Sequence, residues 1–208
     1  MGFDTSWCLD YLDILHKKKI IHGSLAQIGE AEMWGNKQLY PTPRVMFKKR
    51  YGIKEYDDFD IIGTPTYKLD LTKPIPKKFI DKYDTVIESG TSEHIFDQIS
   101  YMENLNLMCK VGGHIIHITP LVHRNHGLYN FTERLFDMIA TRNKYRIKHT
   151  GYLFAVDVKH EPPYKYFDTL DEIKSYDNTL HNSSLYYVIT YQKLRESGFF
   201  PTTRLMEL

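Results

Sequence analysis

Apolar positions along this chain change their period in a regular alternation. Between Asp10 and His16 they fall at Tyr11, Leu12, Ile14 and Leu15, the spacing of a short amphipathic helix. Ser24 to Ile28, mixed apolar and small, meets Gly29 and predicts a first strand. Glu30 to Pro43 contains Gly35, Pro41 and Pro43 and predicts loop. Arg44 to Tyr51 predicts a helix closed by Gly52, and Tyr56 to Ile62 a second strand broken at Gly63. Thr64 to Pro76, with prolines at 65, 74 and 76, reads as loop or sheet edge. Tyr83 to Glu88 is a short apolar run of the kind that forms a buried parallel strand. Glu93 to Cys109 follows as a helix with Ile95, Phe96, Ile99, Met102, Leu105 and Met108 at helical spacing, stopped by Gly112-Gly113. His114 to Thr119 predicts a strand ended by Pro120, Thr132 to Arg142 a helix, and Tyr145 to Val158 and Leu185 to Leu194 two closing strands.

Strand and helix therefore alternate over most of the chain. The pattern predicts an α/β fold, a doubly wound and mostly parallel sheet with helices on both faces. A length of 208 residues suits one such domain spanning residues 1–208, with residues 159–184 as a lid or a surface excursion. Ligands of these sheets bind beyond the carboxyl ends of the strands, near the point where strand order reverses. Gly29, Asp60, the run Ser89-Gly90-Thr91-Ser92-Glu93-His94 and the run Thr119 to His123 occupy those ends. Each also has a plainer reading. Asp60 can serve as a turn residue and Ser92 as a helix cap.

Composition narrows the function. Lys and Arg total 27 against 26 Asp and Glu, a net charge of +1, which leaves no overall nucleic-acid footprint. Cys8 and Cys109 are too few for a disulfide framework or a cysteine zinc site, and a reducing cytoplasmic setting is expected. No apolar run reaches the roughly 20 residues of a membrane span. No Gly-x-Gly-x-x-Gly fingerprint occurs, which argues against a dinucleotide oxidoreductase, and no catalytic triad or P-loop pattern appears.

Two stretches carry a resemblance. Tyr83-Asp84-Thr85-Val86-Ile87-Glu88-Ser89-Gly90-Thr91-Ser92-Glu93-His94-Ile95 resembles the fourth-strand motif of the class I (Rossmann-like) S-adenosylmethionine-dependent methyltransferases, an apolar strand leading to a Glu-His pair that opens a helix. Lys110-Val111-Gly112-Gly113-His114-Ile115-Ile116-His117-Ile118 resembles the next motif, and Pro120 with His126-Gly127-Leu128-Tyr129-Asn130-Phe131 a substrate-side loop of some bacterial and viral members. The resemblance is strong over residues 56 to 145, thinner before them and weak over about 159 to 184. It implies S-adenosylmethionine as cofactor, with Gln27 and Gly29 at its methionine part, Asp60 at the ribose, Asp70 and Leu71 beside the adenine, and Ser89 and Gly90 lining the sulfonium side. Glu93, Tyr129 and Asn130 fall on the acceptor side. The chain departs from the family at Gln27, where members carry an acid, and at Ala31 and Met33, where they carry glycines. Either the loop runs differently or the cofactor is held more weakly. Some quinone-pathway relatives use the Glu-His pair as metal ligands with a further acid. Gly90 stands at that third position here, and no metal site is expected.

Methyl transfer from a sulfonium is an in-line displacement, so alignment and exclusion of water are the protein's main tasks. An acceptor that must lose a proton needs a base near neutrality, and histidine suits. His94, His117, His123 and His126 lie near the expected mouth, and His126 or His94 is the expected base. A small-molecule acceptor, such as a sugar or a lipid-linked intermediate, is expected by analogy of fold. The alternative is a protein of this fold without activity that serves as a binding partner or scaffold, an alternative the altered glycine loop motivates.

Overall fold

The computed structural model describes residues 2–4, 8–34, 39–156, 165–176 and 183–196. Strand β1 (Gly2–Asp4) precedes helix α1 (Cys8–Lys17), whose Tyr11, Leu12 and Leu15 are fully buried. Lys19, at φ 57°, turns the chain out of this helix, and Ile20 donates its N–H back to the Leu15 carbonyl at 2.9 Å. β2 (Ser24–Ile28) is buried along its whole length. β3 (Glu32–Trp34) lies in the stretch expected to be loop and pairs in parallel with β1 as a separate two-stranded ribbon. Local pattern could not show this, because β3 is short and its partner lies at the start of the chain.

Helix α2 (Pro43–Tyr51) stops where its sequence predicts and starts one residue before the expected Arg44. Thr42 accepts from the Val45 N–H at 3.3 Å, Pro43 opens the first turn, and Gly52 closes the helix at φ 65°. The run Lys48-Lys49-Arg50 sits in its last turn, where cations favour the helix dipole, and Arg50 pairs with Asp13 on α1 at 2.6 Å. β4 (Glu55–Asp60), β5 (Tyr67–Lys68) and β6 (Tyr83–Ser89) follow. Among the described residues no α-helix joins these three strands. The crossover holds a single 3-10 turn (Lys77–Phe79), fastened from beneath by Leu71, Ile75 and Phe79 in the core.

The helix expected over Glu93 to Cys109 begins later. A 3-10 turn covers Ser92–His94, and α3 (Gln98–Met108) starts after Asp97, which caps it by accepting from the Ser100 N–H at 3.1 Å. β7 (Cys109–Val122) contains Gly112, Gly113 and Pro120, so the glycines do not stop the helix and the proline does not end the strand. The reason at Pro120 is positional. The Ile118 carbonyl accepts from the Gly90 N–H on the β6 side, and Pro120, two residues on, turns the same way. β6 has ended there, so the missing N–H breaks no ladder, and the Pro120 carbonyl accepts from Phe131 at 2.8 Å. α4 (Glu133–Asn143), capped by Thr132, leads to β8 (Arg146–Val156), β9 (Lys165–Phe167), α5 (Leu170–Tyr176) and β10 (Ser183–Gln192). Of the expected lid, residues 159–164 and 177–182 lie outside the described residues. The remainder forms β9, α5 and the start of β10.

The main sheet has the order β5-β4-β2-β6-β7-β10-β8-β9. β5 through β7 are parallel, β10 runs antiparallel between β7 and β8, and β9 pairs antiparallel at the edge. One core cluster on the α1 and α2 face holds Leu12, Phe47 and Met33, and the other, on the α3 and α4 face, holds Tyr101, Phe136 and Tyr191. The fold is thus the expected α/β, mostly parallel and doubly wound. The chain runs outward from β2 to β5 and then returns to β6 on the other side of β2, which places the reversal of strand order between β2 and β6. Among the described residues no helix is long and apolar enough to cross a membrane.

Candidate functional site

Two glycines open the crevice at that reversal. Gly29 (φ 83°) leaves β2 in the left-handed region and donates its N–H to the Phe59 carbonyl at 2.8 Å. Gly90 (φ 68°) leaves β6 in the same way, over the end of β7. Beyond them lies a cavity of about 510 Å³, walled by Gly29, Asp60, Gly90, Glu93, His94 and His126. A second cavity of about 340 Å³ adjoins it, with Phe59 and Tyr101 in its wall and Asp70 and Leu71 beside them. Asp60, Thr91 and His94 line both. The volumes fall within the range of small-molecule sites, about 300–1,000 Å³.

Asp60, the last residue of β4, is pinned by backbone. Its Oδ2 accepts from the Glu30 N–H at 2.7 Å and its Oδ1 from the Ile61 and Ile62 N–H groups at 2.7 and 3.1 Å. The Glu30 carboxylate in turn accepts from the N–H and hydroxyl of Thr64. A Cβ at Gly63 would lie 1.7 Å from Glu30 Oε2, so only glycine leaves room for that contact. Asp70 accepts from the Thr72 hydroxyl and N–H at 2.7 and 2.9 Å, bonds that hold its carboxyl below the usual range.

Two glutamates near the end of β6 have opposite surroundings. Glu88 is fully buried and accepts from the Thr91 and Ser92 N–H groups, from the Ser92 hydroxyl at 3.2 Å, and faces His117 Nδ1 at 3.1 Å. It organises the turn that carries Glu93. Glu93 is also fully buried, yet neither carboxylate oxygen accepts a hydrogen bond. Burial, and next the charge of Glu88, push its pKa up to about 8.

The loop after β7 is pressed against Glu93. The Glu93 carbonyl accepts from the Leu128 N–H at 2.6 Å, and a Cβ at Gly127 would meet Glu93 Cγ and carbonyl at 2.6 Å. This close approach brings His126 Nε2 to 3.4 Å from Glu93 Oε1. The His123 ring stacks on His126 with centroids 4.1 Å apart, and the His94 ring meets His126 edge-on at 4.9 Å. Burial, then the neighbouring His123 and His94, push the pKa of His126 down to about 4.

Of the residues singled out by sequence, the fold gathers Gly29, Asp60, Ser89, Gly90, Glu93, His94 and His126 on the first cavity and Asp70 and Leu71 on the second. Gln27 is not among them. It is fully buried, its amide donates to the Ile28 carbonyl, and its Oε1 has no partner. Tyr129 and Asn130 support the loop from behind, Tyr129 through the Phe96 carbonyl and Asn130 by accepting from the His123 N–H. Met33 is buried on β3 in the core, so the loop after Gly29 runs differently from a glycine-rich turn, and Met33 does not crowd the cavity. Sequence reasoning missed Glu30, Glu88 and Tyr186. Glu88 stood in the motif as part of an apolar run, and a buried acid there was the available signal.

No protein-family model and no curated protein matches the chain. Solved structures do. The Burkholderia thailandensis 1,6-didemethyltoxoflavin-N1-methyltransferase, with 1,6-didemethyltoxoflavin and S-adenosylhomocysteine bound, aligns at TM-score 0.54 and 11% identity over 88% of this chain and 76% of that one. An O-methyltransferase from a Brevibacillus brevis trans-AT PKS multienzyme, in complex with S-adenosylhomocysteine, aligns at 0.50 and 14% over 86% and 70%. The Streptomyces coelicolor geranyl diphosphate C-methyltransferase, with Mg2+, geranyl diphosphate and S-adenosylhomocysteine, aligns at 0.51 and 11% over 89% and 81%. At such identities the likeness is one of fold, and the chain has the fold of the class I S-adenosylmethionine-dependent methyltransferases. These three act at nitrogen, oxygen and carbon, so the fold does not select the acceptor atom.

Proposed function

We propose that the protein transfers a methyl group from S-adenosylmethionine to a small-molecule acceptor. The observation that carries this reading is the pair of adjoining cavities at the strand-order reversal, sharing Asp60, Thr91 and His94 behind two left-handed glycine turns. The residues present fit such a cofactor. Asp60 is pre-oriented by three backbone N–H groups and would accept from the ribose hydroxyls. Asp70, Leu71 and Tyr101, whose buried hydroxyl lacks a hydrogen-bond partner, surround a space suited to the adenine. Gly29, Ser89 and Gly90 would line the methionine and sulfonium side.

When bound, the cofactor supplies a methyl group already activated for displacement. This chain's residues then orient the acceptor and keep water out. Glu93, His94 and His126 form the acceptor side of the first cavity, and Ile95, Ile118 and Leu153 contribute apolar wall. His94 and His126 line this side and would take a proton from an acceptor hydroxyl or amine; burial keeps His126 neutral but lowers its pKa to about 4, which makes it a weaker base than the near-neutral histidine expected from the sequence.

Titration calorimetry with S-adenosylmethionine and S-adenosylhomocysteine tests the reading. Binding with a roughly micromolar Kd, about −8 kcal/mol, is the expected result. Absence of binding at millimolar ligand, with the protein folded, would overturn it. The second reading, an inactive protein of this fold that binds a partner, would then take its place, and one observation favours it. Gln27, where the family carries an acid, is not part of the cavity wall.

A further inference from the structure

We infer that the acceptor is a protonated amine carried on an apolar body, and that the Glu93 carboxylate binds its nitrogen. The acceptor's role rests on the methyltransferase reading, whereas amine binding at Glu93 does not. Glu93 is fully buried, it lines the first cavity, and neither of its oxygens accepts a hydrogen bond within the chain. A carboxylate is costly to bury in that state, and a bound cation that donates an N–H offsets the cost.

The surroundings select the sign of the ligand. Glu30, Asp60 and Glu93 line the cavity, and no lysine or arginine does. The nearby backbone N–H groups are already taken, those of Thr91 and Ser92 by Glu88 and that of Glu30 by Asp60. An anionic acceptor, such as a phosphate ester or a carboxylate, finds no positive partner here, whereas a cation does find a negative one. Asp60 is answered by backbone and Glu30 by Thr64, so Glu93 is the acid left for a ligand. The remaining wall includes Ile95, Ile118 and Leu153, with Ile61 and Ile62 more than half exposed beside them. Such a wall suits a hydrocarbon body better than a polyhydroxyl one.

The charged and titratable groups facing Glu93 are Glu88 on β6, His94 in its own turn, and His126 on the loop after β7, with His123 stacked on His126. Burial and the charge of Glu88 favour a protonated Glu93 in the empty site. An arriving ammonium, which reaches it past the partly exposed His126 ring, favours the ionised form, and Glu93 releases its proton to solvent on binding. Ionised Glu93 then stands 3.4 Å from His126 Nε2 and makes that imidazole a better base. One N–H of the ammonium stays on Glu93 and another proton passes to His126. The freed nitrogen pair forms the bond to the methyl carbon, and the carbon–sulfur pair returns to sulfur.

The test is calorimetric titration of the full chain, in the presence of S-adenosylhomocysteine, with three probes that share one body and differ in the head: phenethylamine, 2-phenylethanol and 3-phenylpropionate. Phenethylamine should bind at least about tenfold more tightly than 2-phenylethanol, and 3-phenylpropionate more weakly than both. Amine affinity should fall as pH drops below about 8, where Glu93 takes up its proton, while that of the alcohol stays level. Glu93→Gln should erase the preference for the amine and its pH dependence, and His22→Gln, just before the amino end of β2, should keep both. Should Glu93→Gln fail to fold by circular dichroism, the order of the three probes and the pH dependence in the unsubstituted chain decide. No binding of the amine, equal affinity for amine and alcohol, or a preference that survives Glu93→Gln would overturn the inference. S-adenosylhomocysteine is also titrated alone. Its binding without an amine preference overturns only the amine site, and a Glu93-dependent amine preference in a chain that does not bind it overturns only the methyltransferase reading.

Discussion

The sheet divides at the border between β6 and β7 into halves built on different terms. On one side β5, β4, β2 and β6 have 2, 6, 5 and 7 residues, all parallel, joined around β4 and β5 by loop and a 3-10 turn. On the other side β7, β10 and β8 have 14, 10 and 11 residues, with β10 antiparallel to both neighbours. The short half ends in the glycine turns and carboxylates of the cavities. The long half carries Phe136, Tyr187 and Tyr191, packed between α4 and the sheet. Short parallel strands leave their carboxyl ends open to a ligand, and long antiparallel pairing supplies burial and backbone hydrogen bonds. Binding and stability should therefore separate under mutation.

The largest effect should come from Phe136→Ala, which empties a fully buried site touching His117, Phe131 and Tyr187. Denaturant unfolding should show a loss of about 3–5 kcal/mol. A loss below about 1 kcal/mol would break the comparison. Next comes acid sensitivity, also in the long half. His149 on β8 and His114 on β7 each have a pKa pushed down to about 4, by burial first, with Lys18 at 2.8 Å also opposing protonation of His149 and His22 that of His114. The unfolded chain takes up protons as pH falls through the ordinary value near 6.5, and the folded chain does not until about 4. The contribution of these two histidines should stay level above about pH 6.5 and fall between there and pH 4, by on the order of 3 kcal/mol per histidine at most. Melting curves across that window should flatten their pH dependence in His149→Gln.

A smaller and different effect is expected in the short half. Asp60→Ala should weaken S-adenosylmethionine binding by roughly 1.5–3 kcal/mol in calorimetry, with a smaller loss of stability than Phe136→Ala. Unchanged affinity would remove Asp60 from the cofactor site. The smallest effect belongs to Lys110→Ala. Its ion pair with Asp84, at 3.0 Å, ties β6 to β7 at the end of the sheet away from the cavities, and both partners are partly exposed. Thermal unfolding should change by roughly 0.2–1 kcal/mol, with cofactor affinity untouched.

Much of the fold was legible in the sequence. The helices α2 and α4, the strand β6 and the end of β2 come from signals a few residues long: a glycine at 52 closing a helix, a glycine at 29 closing a strand, an apolar run closed by Ser89-Gly90. Where reading failed, a distant partner had overruled a local signal. Pro120 looked like a stop and is carried through because β6 ends beside it. Glycines 112 and 113 looked like a helix terminator and lie inside β7. Ile95 and Phe96 have helical spacing with the residues after them, but the capping side chain of Asp97 starts α3 beyond both. In the site, the strand-end positions Gly29, Asp60, Ser89 and Gly90 line the first cavity, whereas Gln27 inside β2 does not, because a strand residue's facing depends on what packs against each side of the sheet.

The sequence by itself determined the alternation of strand and helix, the helix caps, and which residues stand at the carboxyl ends of the strands. Backbone sterics and side-chain period act over a few residues, so these are written locally. Only the tertiary structure decided which ends lie together. The order of strands places Asp60 beside Gly29, and the tight passage of Gly127 over Glu93 sets a buried carboxylate against His126 and His94. Those neighbours are fixed by long-range burial and sheet pairing, which no spacing along the chain records.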